Sequence, residues 1–364
     1  MITLFYICSS IYFLILILLT LGILFQKVPV SKTLKNISVI VSAKNEEKNI
    51  GKLLEALISQ DYPKNNYEII VVDDRSDDDT YKIIRQFEKL HDNLTSLQIF
   101  QEDKNLKGKK GAISKAISVS KYDILAFTDA DCKPDKLWLS ILNEHFTSKV
   151  DFVAGYSFLT FKSKFFSYLK NLERAALFAV ISGSFGLGWK ISCTGGNMAY
   201  RKQIFEQANG FSGIGHIRSG DDDLLLQKMR KFIRKIRFMF SPNSHVISSG
   251  NDKTNDKIQQ ETRRGSKWRY YTSEIKLLTL FVFLYYLFFA LFIIYFIFGS
   301  ISTSLFITLL AIKILPEFLI LLSFLIKIKK TKLLSLFPII ELIYIPYFII
   351  FGLKGTFGKY KWKQ

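Results

Sequence analysis

The chain has 364 residues, of which 49% are hydrophobic, and its 50 Lys and Arg against 31 Asp and Glu give a formal net charge of +19. This length allows two or three structural units. Much of the positive excess lies beside long apolar segments, as the positive-inside rule predicts, and no recognised nucleic-acid-binding motif accompanies it. We therefore expect no nucleic-acid partner. The three cysteines form no CxxC motif and no plausible disulfide framework, which argues against a zinc site.

Both outer parts of the chain are predicted to lie in a membrane. Residues 3–26 carry no charge and are long enough to cross roughly 30 Å of hydrocarbon, so we expect an uncleaved anchor. Three further apolar runs follow at 277–298, 304–326 and 333–353. Glu317 and Glu341 within these runs are costly unless they face protein or a polar cavity, and they are candidate markers of an acceptor path.

The part between these segments alternates short β-branched runs with amphipathic helices. NISVIVSAKN (36–45) is followed by a helix whose Ile50, Leu53, Leu54 and Leu57 fall at helical spacing. The strand signal returns in YEIIVVDD, LTSLQIFQ and YDILAFTDAD. This alternation predicts right-handed βαβ crossovers and a mostly parallel sheet covered by helices. The run LLLQKMRKFIRKIRF (224–238) is predicted to be a basic helix.

Polar clusters follow three of these strands. SAKNEE, VDDRSDD and TDADC each stand at the carboxyl end of a strand, where ligands bind in α/β sheets. Like charges held together cost free energy unless a cation or a proton compensates them, so Asp129 and Asp131 predict a hard cation, Mg²⁺ or Mn²⁺, that holds a diphosphate. Neither GxGxxG nor GxxxxGK[ST] follows the first strand, which weakens the dehydrogenase and P-loop alternatives. LKGKKGAISKA places lysines at a helix start, where anions bind, although a solvated lysine run is the alternative.

These motifs resemble the membrane-bound family 2 glycosyltransferases with a GT-A fold, the group that includes cellulose synthase-like, hyaluronan synthase-like and ceramide glucosyltransferase-like enzymes. SAKNEEKNIGKLLEAL resembles the opening nucleotide-contacting motif, VVDDRSDDDT the uridine-binding strand end, and TDADC the DxD metal motif. CTGGNMAYRKQIFEQANGF is similar to the acceptor-side segment, SGDDDLLLQKM to the motif with the catalytic base, and QETRR to QxxRW. GKKGAISKA resembles the family's glycine-lysine helix start. Together these seven motifs stand in the family's order.

The resemblance implies an inverting, metal-assisted transfer from a nucleotide-sugar donor, with a UDP-sugar expected, to a lipid-linked or glycan acceptor. Asp222 would be the general base, with Asp221 beside it. The donor-binding positions would be Ala43, Asn45, Glu46, Asp73, Asp74, Lys109, Lys110 and Asp129, and the metal ligands Asp129 and Asp131. The acceptor-side positions would be Gly195, Gly196, Asn197, Gln260, Arg263, Arg264 and Trp268.

The chain departs from the family pattern at QETRR. Gln260 and Arg263 match, but Arg264 stands where the pattern has Trp, and Trp268 follows one helical turn later. This departure puts processive polymerisation in doubt. Arg264 could pair with an anionic acceptor, or it could contact lipid phosphates while Trp268 stacks on the sugar.

The fold class we predict is α/β, with a GT-A domain flanked by transmembrane helices. The predicted parts are an anchor (1–27), a GT-A domain (36–245), an interfacial segment with the QxxRW-like motif (246–276), about three membrane segments (277–353) and a basic tail (354–364). The catalytic domain should be cytosolic, at a bacterial inner membrane. Three further crossings would then place the basic tail outside, so we expect the segment with Pro338 and Pro346 to be re-entrant or interfacial.

Two other function classes remain open. One is a membrane protein that binds a nucleotide sugar without catalysis, and the other is a sugar nucleotidyltransferase. The second would show a glycine-rich, Arg-containing loop after the first strand, where this chain has SAKNEEKNI.

Overall fold

The computed structural model describes residues 2–27, 31–250 and 254–358 and divides them into two compact units. Unit 1 contains the described residues of 1–25, 161–187 and 251–364, and unit 2 contains those of 26–160 and 188–250. Of the predicted basic tail, residues 359–364 lie outside the described part.

Unit 2 is built on a seven-stranded sheet. Its strands in chain order are β1 (Ile37–Ala43), β2 (Tyr67–Asp74), β3 (Leu94–Ile99), β4 (Ile124–Phe127), β6 (Phe152–Gly155), β8 (Met198–Arg201) and β9 (Ile236–Met239). The spatial order is β3-β2-β1-β4-β8-β6-β9. Only β8 runs antiparallel to its neighbours in this sheet, so the predicted mostly parallel α/β sheet is confirmed.

Helices cover the sheet of unit 2 where the sequence alternates. They are α2 (Ile50–Ile58), α3 (Thr80–Glu88), α4 (Lys109–Val119), α5 (Trp138–His145), α7 (Lys202–Gln207) and α8 (Asp223–Met229). Ile50, Leu53 and Leu57 of α2 are fully buried in the same core as Val39 and Val41 of β1. The helical spacing of these residues therefore corresponds to one apolar face against the sheet.

The predicted basic helix at 224–238 is wrong beyond its first turns. Helix α8 ends at Met229, and Ile236–Met239 form β9, which pairs in parallel with β6. In this strand Ile236 and Phe238 are buried, and Arg234 just before it pairs at 2.6 Å with the fully buried Asp151. Sheet pairing overrides the local helical pattern because it buries the apolar residues that alternate with the cations.

A second, three-stranded sheet lies in unit 2. It contains β5 (Cys132–Pro134), β7 (Ser157–Thr160) and β10 (Val246–Ser249), in the order β5-β10-β7. Ser248 of β10 lies opposite Cys132 of β5. This pairing brings a residue far along the chain to the end of the TDADC segment.

Unit 1 is helical. It comprises α1 (Ile2–Phe25), α6 (Lys164–Gly186), α9 (Thr254–Ser266), α10 (Ser273–Ile297), α11 (Thr303–Lys327) and α12 (Phe337–Phe357). Within the described part of the chain, four segments are long and apolar enough to cross a membrane, namely Thr3–Phe25, Ser273–Ile297, Thr303–Lys327 and Thr331–Phe357. The predicted combination of an α/β domain with flanking candidate membrane helices is confirmed.

The prediction that prolines interrupt the last apolar segment is wrong. Helix α12 continues through Pro346, and Pro338 lies in its first turn, where proline removes no intrahelical donor. The break on which a re-entrant segment relied is therefore absent.

The two glutamates within the apolar runs face protein. Lys313, only 2% exposed, donates to Glu317 at 2.7 Å and to Glu341 at 2.5 Å. The hydroxyls of Tyr12 and Tyr286 also donate to Glu317, at 2.6 and 3.2 Å. These bonds connect α1, α10, α11 and α12 and compensate the burial of the charges.

Candidate active site at the carboxyl ends of the strands

The ends of three neighbouring strands form one row. Ala43 of β1 lies opposite Asp73 of β2, which lies opposite Gln98 of β3. Asp73 is fully buried and its Oδ1 has no hydrogen-bond partner among the described residues. Its Oδ2 lies 3.4 Å from the N–H of Ser76 and 3.5 Å from Nε2 of Gln98. An unpaired buried carboxylate oxygen is costly, which makes this row a candidate for ligand contact.

Hydrogen bonds join the loops that follow β1 and β2. The N–H of Asn45 donates to Oγ of Ser76 at 3.0 Å, and Oδ1 of Asn45 accepts from the N–H of Asp77 at 2.9 Å. The N–H of Glu46 donates to Oγ1 of Thr80 at 2.8 Å. Asn45 adopts a positive φ of 55°, a conformation that non-glycine residues often hold at functional sites. The two loops are therefore held together at the ends of β1 and β2.

Glu102 forms ion pairs with three cationic side chains near Asp74. Arg75, which pairs with Asp74 at 2.8 Å, lies 3.7 Å from Glu102, and Arg218 and Lys107 lie 3.0 and 3.6 Å from it. Burial raises the pKa of Glu102, but the N–H of Gly108 and the three cations lower it more, so the net shift is downward. The carboxylate stays charged and holds these loops together.

The TDADC motif presents its two carboxylates with separate partners. Oδ1 of Asp129 accepts from Nζ of Lys109 at 2.7 Å, and Oδ2 of Asp131 accepts from Oγ of Ser248 at 3.0 Å. Ligand atoms of Asp129, Asp131 and Cys132 lie within 4.8 Å of one another. The two carboxylates can therefore reach one ion.

The chemistry of this group fits a hard cation. Burial and the Asp129 charge raise the pKa of Asp131, since the two carboxylates repel. Burial and both carboxylates also raise the pKa of the Cys132 thiol, so the sulfur stays protonated and is a poor ligand. Burial lowers the pKa of Lys109, but Asp129 and Asp221 outweigh it and the net shift is upward. Oxygen ligands with excess negative charge favour Mg²⁺ or Mn²⁺ over zinc.

A glycine turn connects the TDADC carboxylates with the second acidic motif. The N–H of Gly195 donates to Oδ2 of Asp222 at 3.1 Å. A Cβ added to Gly196 would lie 3.0 Å from Oδ2 of Asp129, so the turn passes close beside that carboxylate. Asp129 and Asp222 therefore flank the same turn.

Asp221 and Asp222 stand at the start of α8. Oδ1 of Asp222 accepts from the N–H of Asp223 at 2.7 Å, as an N-cap residue does. Burial raises the pKa of Asp221, Asp222 raises it further, and Lys109 and Lys110 oppose the shift without cancelling it. A carboxyl group with a raised pKa, such as that of Asp221, suits proton transfer.

Comparison with known proteins identifies the fold and the domain. Residues 38–208 match the family model described as Glycosyl transferase family 2. The chain contains a family 2 glycosyltransferase domain. The resemblance predicted from the motifs is confirmed for this range, which includes the β1, β2 and TDADC motifs and the glycine turn but ends before Asp221.

Two curated relatives match part of the chain. Glycosyltransferase AglE of Haloferax volcanii is 45% identical over 109 residues, which are 30% of this chain and 34% of the relative. The dolichyl N-acetyl-alpha-D-glucosaminyl phosphate 3-beta-D-2,3-diacetamido-2,3-dideoxy-beta-D-glucuronosyltransferase of Methanococcus voltae is 35% identical over 103 residues, 28% of this chain and 31% of the relative. The chain thus spans about a third of the length of each of these relatives.

One solved structure has a similar fold over nearly the whole chain. It is a mannosyltransferase from Pyrobaculum calidifontis in complex with GDP-Man and Mn²⁺. The two chains superpose with a TM-score of 0.57 at 16% identity, over 98% of this chain and 96% of the other. This likeness supports the GT-A fold.

Two residues that the sequence predicts to bind substrate instead form hydrogen bonds within the protein. Oδ1 of the fully buried Asn197 accepts from Nε1 of Trp138 at 3.0 Å, and its Nδ2 donates to the main-chain oxygens of Tyr156 and Ser244, both at 2.9 Å. Its amide is therefore committed to the scaffold. Lys110 is also fully buried and donates to main-chain oxygens rather than facing the crevice.

The QxxRW-like residues belong to unit 1. Gln260 is exposed, and Nη1 of Arg264 pairs at 2.8 Å with Oε1 of Glu261. Burial lowers the pKa of Arg264, but Glu261 and Glu173 outweigh it and the net shift is upward. Arg264 therefore already has a carboxylate partner, which weakens its predicted role as a contact for an anionic acceptor.

Sequence reasoning missed Ser248, Gln98 and Glu102. Each is an ordinary polar residue outside a recognisable motif, and strand pairing or loop packing alone brings it to the site. Only the position of Gln98 at the end of a predicted strand could have drawn attention to it.

Proposed function

We propose that this chain is a membrane-associated glycosyltransferase that moves a sugar from a nucleotide-sugar donor to a lipid-linked acceptor with inversion at the anomeric carbon. The observation that carries the proposal is the glycine turn between Asp129 and Asp222. It brings a candidate cation site for a diphosphate and a candidate base to one crevice, which is the arrangement that a single displacement needs.

The donor would bind along the strand ends. Asp73 has an unpaired buried oxygen that can accept from an N–H of the base, and the main chain at Ala43 and Asn45 forms the adjacent wall. Asp74 is held in place by Arg75. We propose a UDP-sugar as the donor, on the resemblance of this strand end to the family's uridine-binding motif.

Asp129 and Asp131 would hold a divalent cation on the diphosphate. Such an ion neutralises the charge that develops on a departing nucleoside diphosphate. Ser248 fixes the Asp131 carboxylate, and Lys109, partly exposed beside Asp129, is positioned to meet the phosphate oxygens.

Asp222 would accept the proton of the acceptor hydroxyl as this oxygen attacks the anomeric carbon. A carboxylate offers about four lone-pair positions, and Gly195 and Asp223 occupy two of them. The two N–H groups hold the carboxylate in one orientation, in which it would take the proton.

A lipid-linked acceptor agrees with the four candidate membrane helices and with the dolichyl phosphate named for the Methanococcus voltae relative. A cytosolic catalytic domain is proposed because nucleotide sugars are cytosolic. Extraction of the labelled product into organic solvent decides between the two acceptor classes. With a lipid-linked acceptor the label moves into the organic phase, and with a soluble glycan acceptor it stays in the aqueous phase.

The proposal is tested by incubating detergent-purified protein and Mn²⁺ with a panel of nucleotide sugars and a polyprenyl-linked acceptor. Acceptor-dependent release of nucleoside diphosphate, with the label in the lipid phase, is expected. Binding of a donor without release would support a non-catalytic binding protein. Formation of pyrophosphate from a sugar phosphate and a nucleoside triphosphate would support the nucleotidyltransferase instead.

A further inference from the structure

Lys110 is a buried cation on the first turn of α4. Its side chain is 0% exposed, although lysine is almost never fully buried unless it is paired. Nζ donates to the main-chain oxygens of Ile217 and Ser219, the latter at 2.7 Å. The preceding residue, Lys109, instead pairs with Asp129. The start of α4 thus directs two successive lysines to two different parts of unit 2.

The two carbonyls belong to the loop that leads to the proposed base. Ile217 and Ser219 precede Gly220, whose φ is +83°, and the loop then enters α8 at Asp222. One ammonium group binds the main-chain oxygens of two residues that are separated by one position, and this fixes the curvature of the loop. The bonds are hard to lose, because a buried ammonium without them would be left unsolvated.

Further contacts join the same loop to the same helix start. The N–H of Lys107 donates to the main-chain oxygen of Gly215 at 2.8 Å. A Cβ at Gly108 would lie 2.7 Å from the main-chain oxygen of Arg218, so the two backbones are in direct contact. Arg218 also pairs with Glu102 at 3.0 Å. The start of α4 therefore supports the 215–222 loop and, through Lys109, Asp129.

We propose that Lys110 is a positioning residue that holds the 215–222 loop so that Asp222 lies correctly relative to Asp129. This inference rests on the proposed transferase function. It gives Lys110 a role other than the donor contact that the sequence predicts: its ammonium supports the loop and touches neither substrate.

Lys110→Met removes the ammonium group and keeps an unbranched side chain. Transfer kcat should fall about 10²-fold, because a displacement of about 1 Å at a reacting group costs that much. The donor KM and the Kd of the nucleoside diphosphate with Mn²⁺ should stay unchanged, since no donor contact is lost. Lys110→Arg should recover part of kcat because guanidinium also donates to carbonyls. Lys121→Met, at an exposed lysine two residues after α4, is the matched control with unchanged kcat.

Hydrogen exchange of the full-length protein in detergent provides a readout that needs no turnover. Amides of 215–222 should exchange faster in Lys110→Met than in the wild type or in Lys121→Met. An inactive wild type would refute the proposed function, while faster exchange would still show that Lys110 holds the loop. Unchanged exchange in 215–222, or loss of donor affinity with kcat preserved, would overturn the inference. If Lys110→Met does not fold, Lys110→Gln decides, since its shorter, uncharged side chain also loses the ammonium: unchanged exchange in 215–222 together with unchanged kcat would overturn the inference.

Discussion

Replacing Asp222 by Asn tests the assignment of the base, because it removes the basic group and nearly preserves the shape. The carboxylate accepts from the N–H of Gly195 at 3.1 Å and from the N–H of Asp223 at 2.7 Å. An amide keeps one acceptor oxygen and places an NH₂ group where the other stood, so one of these N–H groups loses its partner. Loss of an N-cap interaction costs about 0.5–2 kcal/mol of stability, which should leave the domain folded.

The loss in rate should be larger than the loss in stability. Removing a general base slows a reaction by about 10² to 10⁴, which corresponds to about 2.7–5.4 kcal/mol in the activation free energy. The assay is the initial rate of transfer at saturating donor and acceptor, with donor affinity and the unfolding temperature measured on the same sample. Donor affinity should be retained because the proposed role of Asp222 includes no contact with the donor.

The reasoning would be refuted if folded Asp222→Asn transferred sugar at the wild-type rate. A larger loss of kcat in Asp221→Asn than in Asp222→Asn would instead move the base by one residue. That outcome is chemically reasonable, since burial raises the pKa of Asp221.

Three further predictions concern other groups. Asp129→Asn and Asp131→Asn should each abolish Mn²⁺-dependent release of nucleoside diphosphate without lowering the unfolding temperature, and full activity of either variant in EDTA would contradict the cation site. Because burial and the neighbouring carboxylate raise the pKa of Asp221, the acidic pair gains a proton as the pH falls through a value above that of an ordinary Asp. Transfer should therefore decline below this raised pKa in a pH series, and a decline only near the ordinary value of about 4 would be contrary to this account. Lys313→Met leaves two partly buried carboxylates without their buried cation, which should cost up to about 3–5 kcal/mol and lower the unfolding temperature in detergent. The exposed Lys332→Met should not lower it. Equal temperatures in the wild type and Lys313→Met would show that these ion pairs contribute little.

Secondary structure was predictable where the local pattern and the sheet agree. The run YEIIVVDD is β2 from its first residue to its last, because apolar residues buried on both faces of a sheet form a continuous run. The pattern failed at 236–239, where pairing with β6 decides the conformation. It also gave no sign that residues 161–187 belong with the helices of unit 1, since the first half of α6 carries Lys164, Lys170 and Glu173 like an ordinary surface helix.

The site was predictable only as far as the motifs extend. Asp129 and Asp131 are two residues apart in the sequence, and both follow a predicted strand, where ligands bind in α/β sheets. Ser248 reaches Asp131 only through pairing of β10 with β5. Lys109 and Lys110 look equivalent in the sequence, but successive residues of a helix point about 100° apart. One therefore faces Asp129 and the other is buried against the 215–222 loop, a difference that composition cannot reveal.

The most direct test of the central claim is the release of nucleoside diphosphate by the purified full-length protein, measured for each nucleotide sugar with a polyprenyl-linked acceptor and Mn²⁺. We expect one UDP-sugar to support release that requires the acceptor, stops in EDTA and is lost in Asp129→Asn and Asp222→Asn. Release that persists in both variants, or the absence of release with every nucleotide sugar in folded wild-type protein, would contradict the claim that these two carboxylates serve one glycosyl transfer.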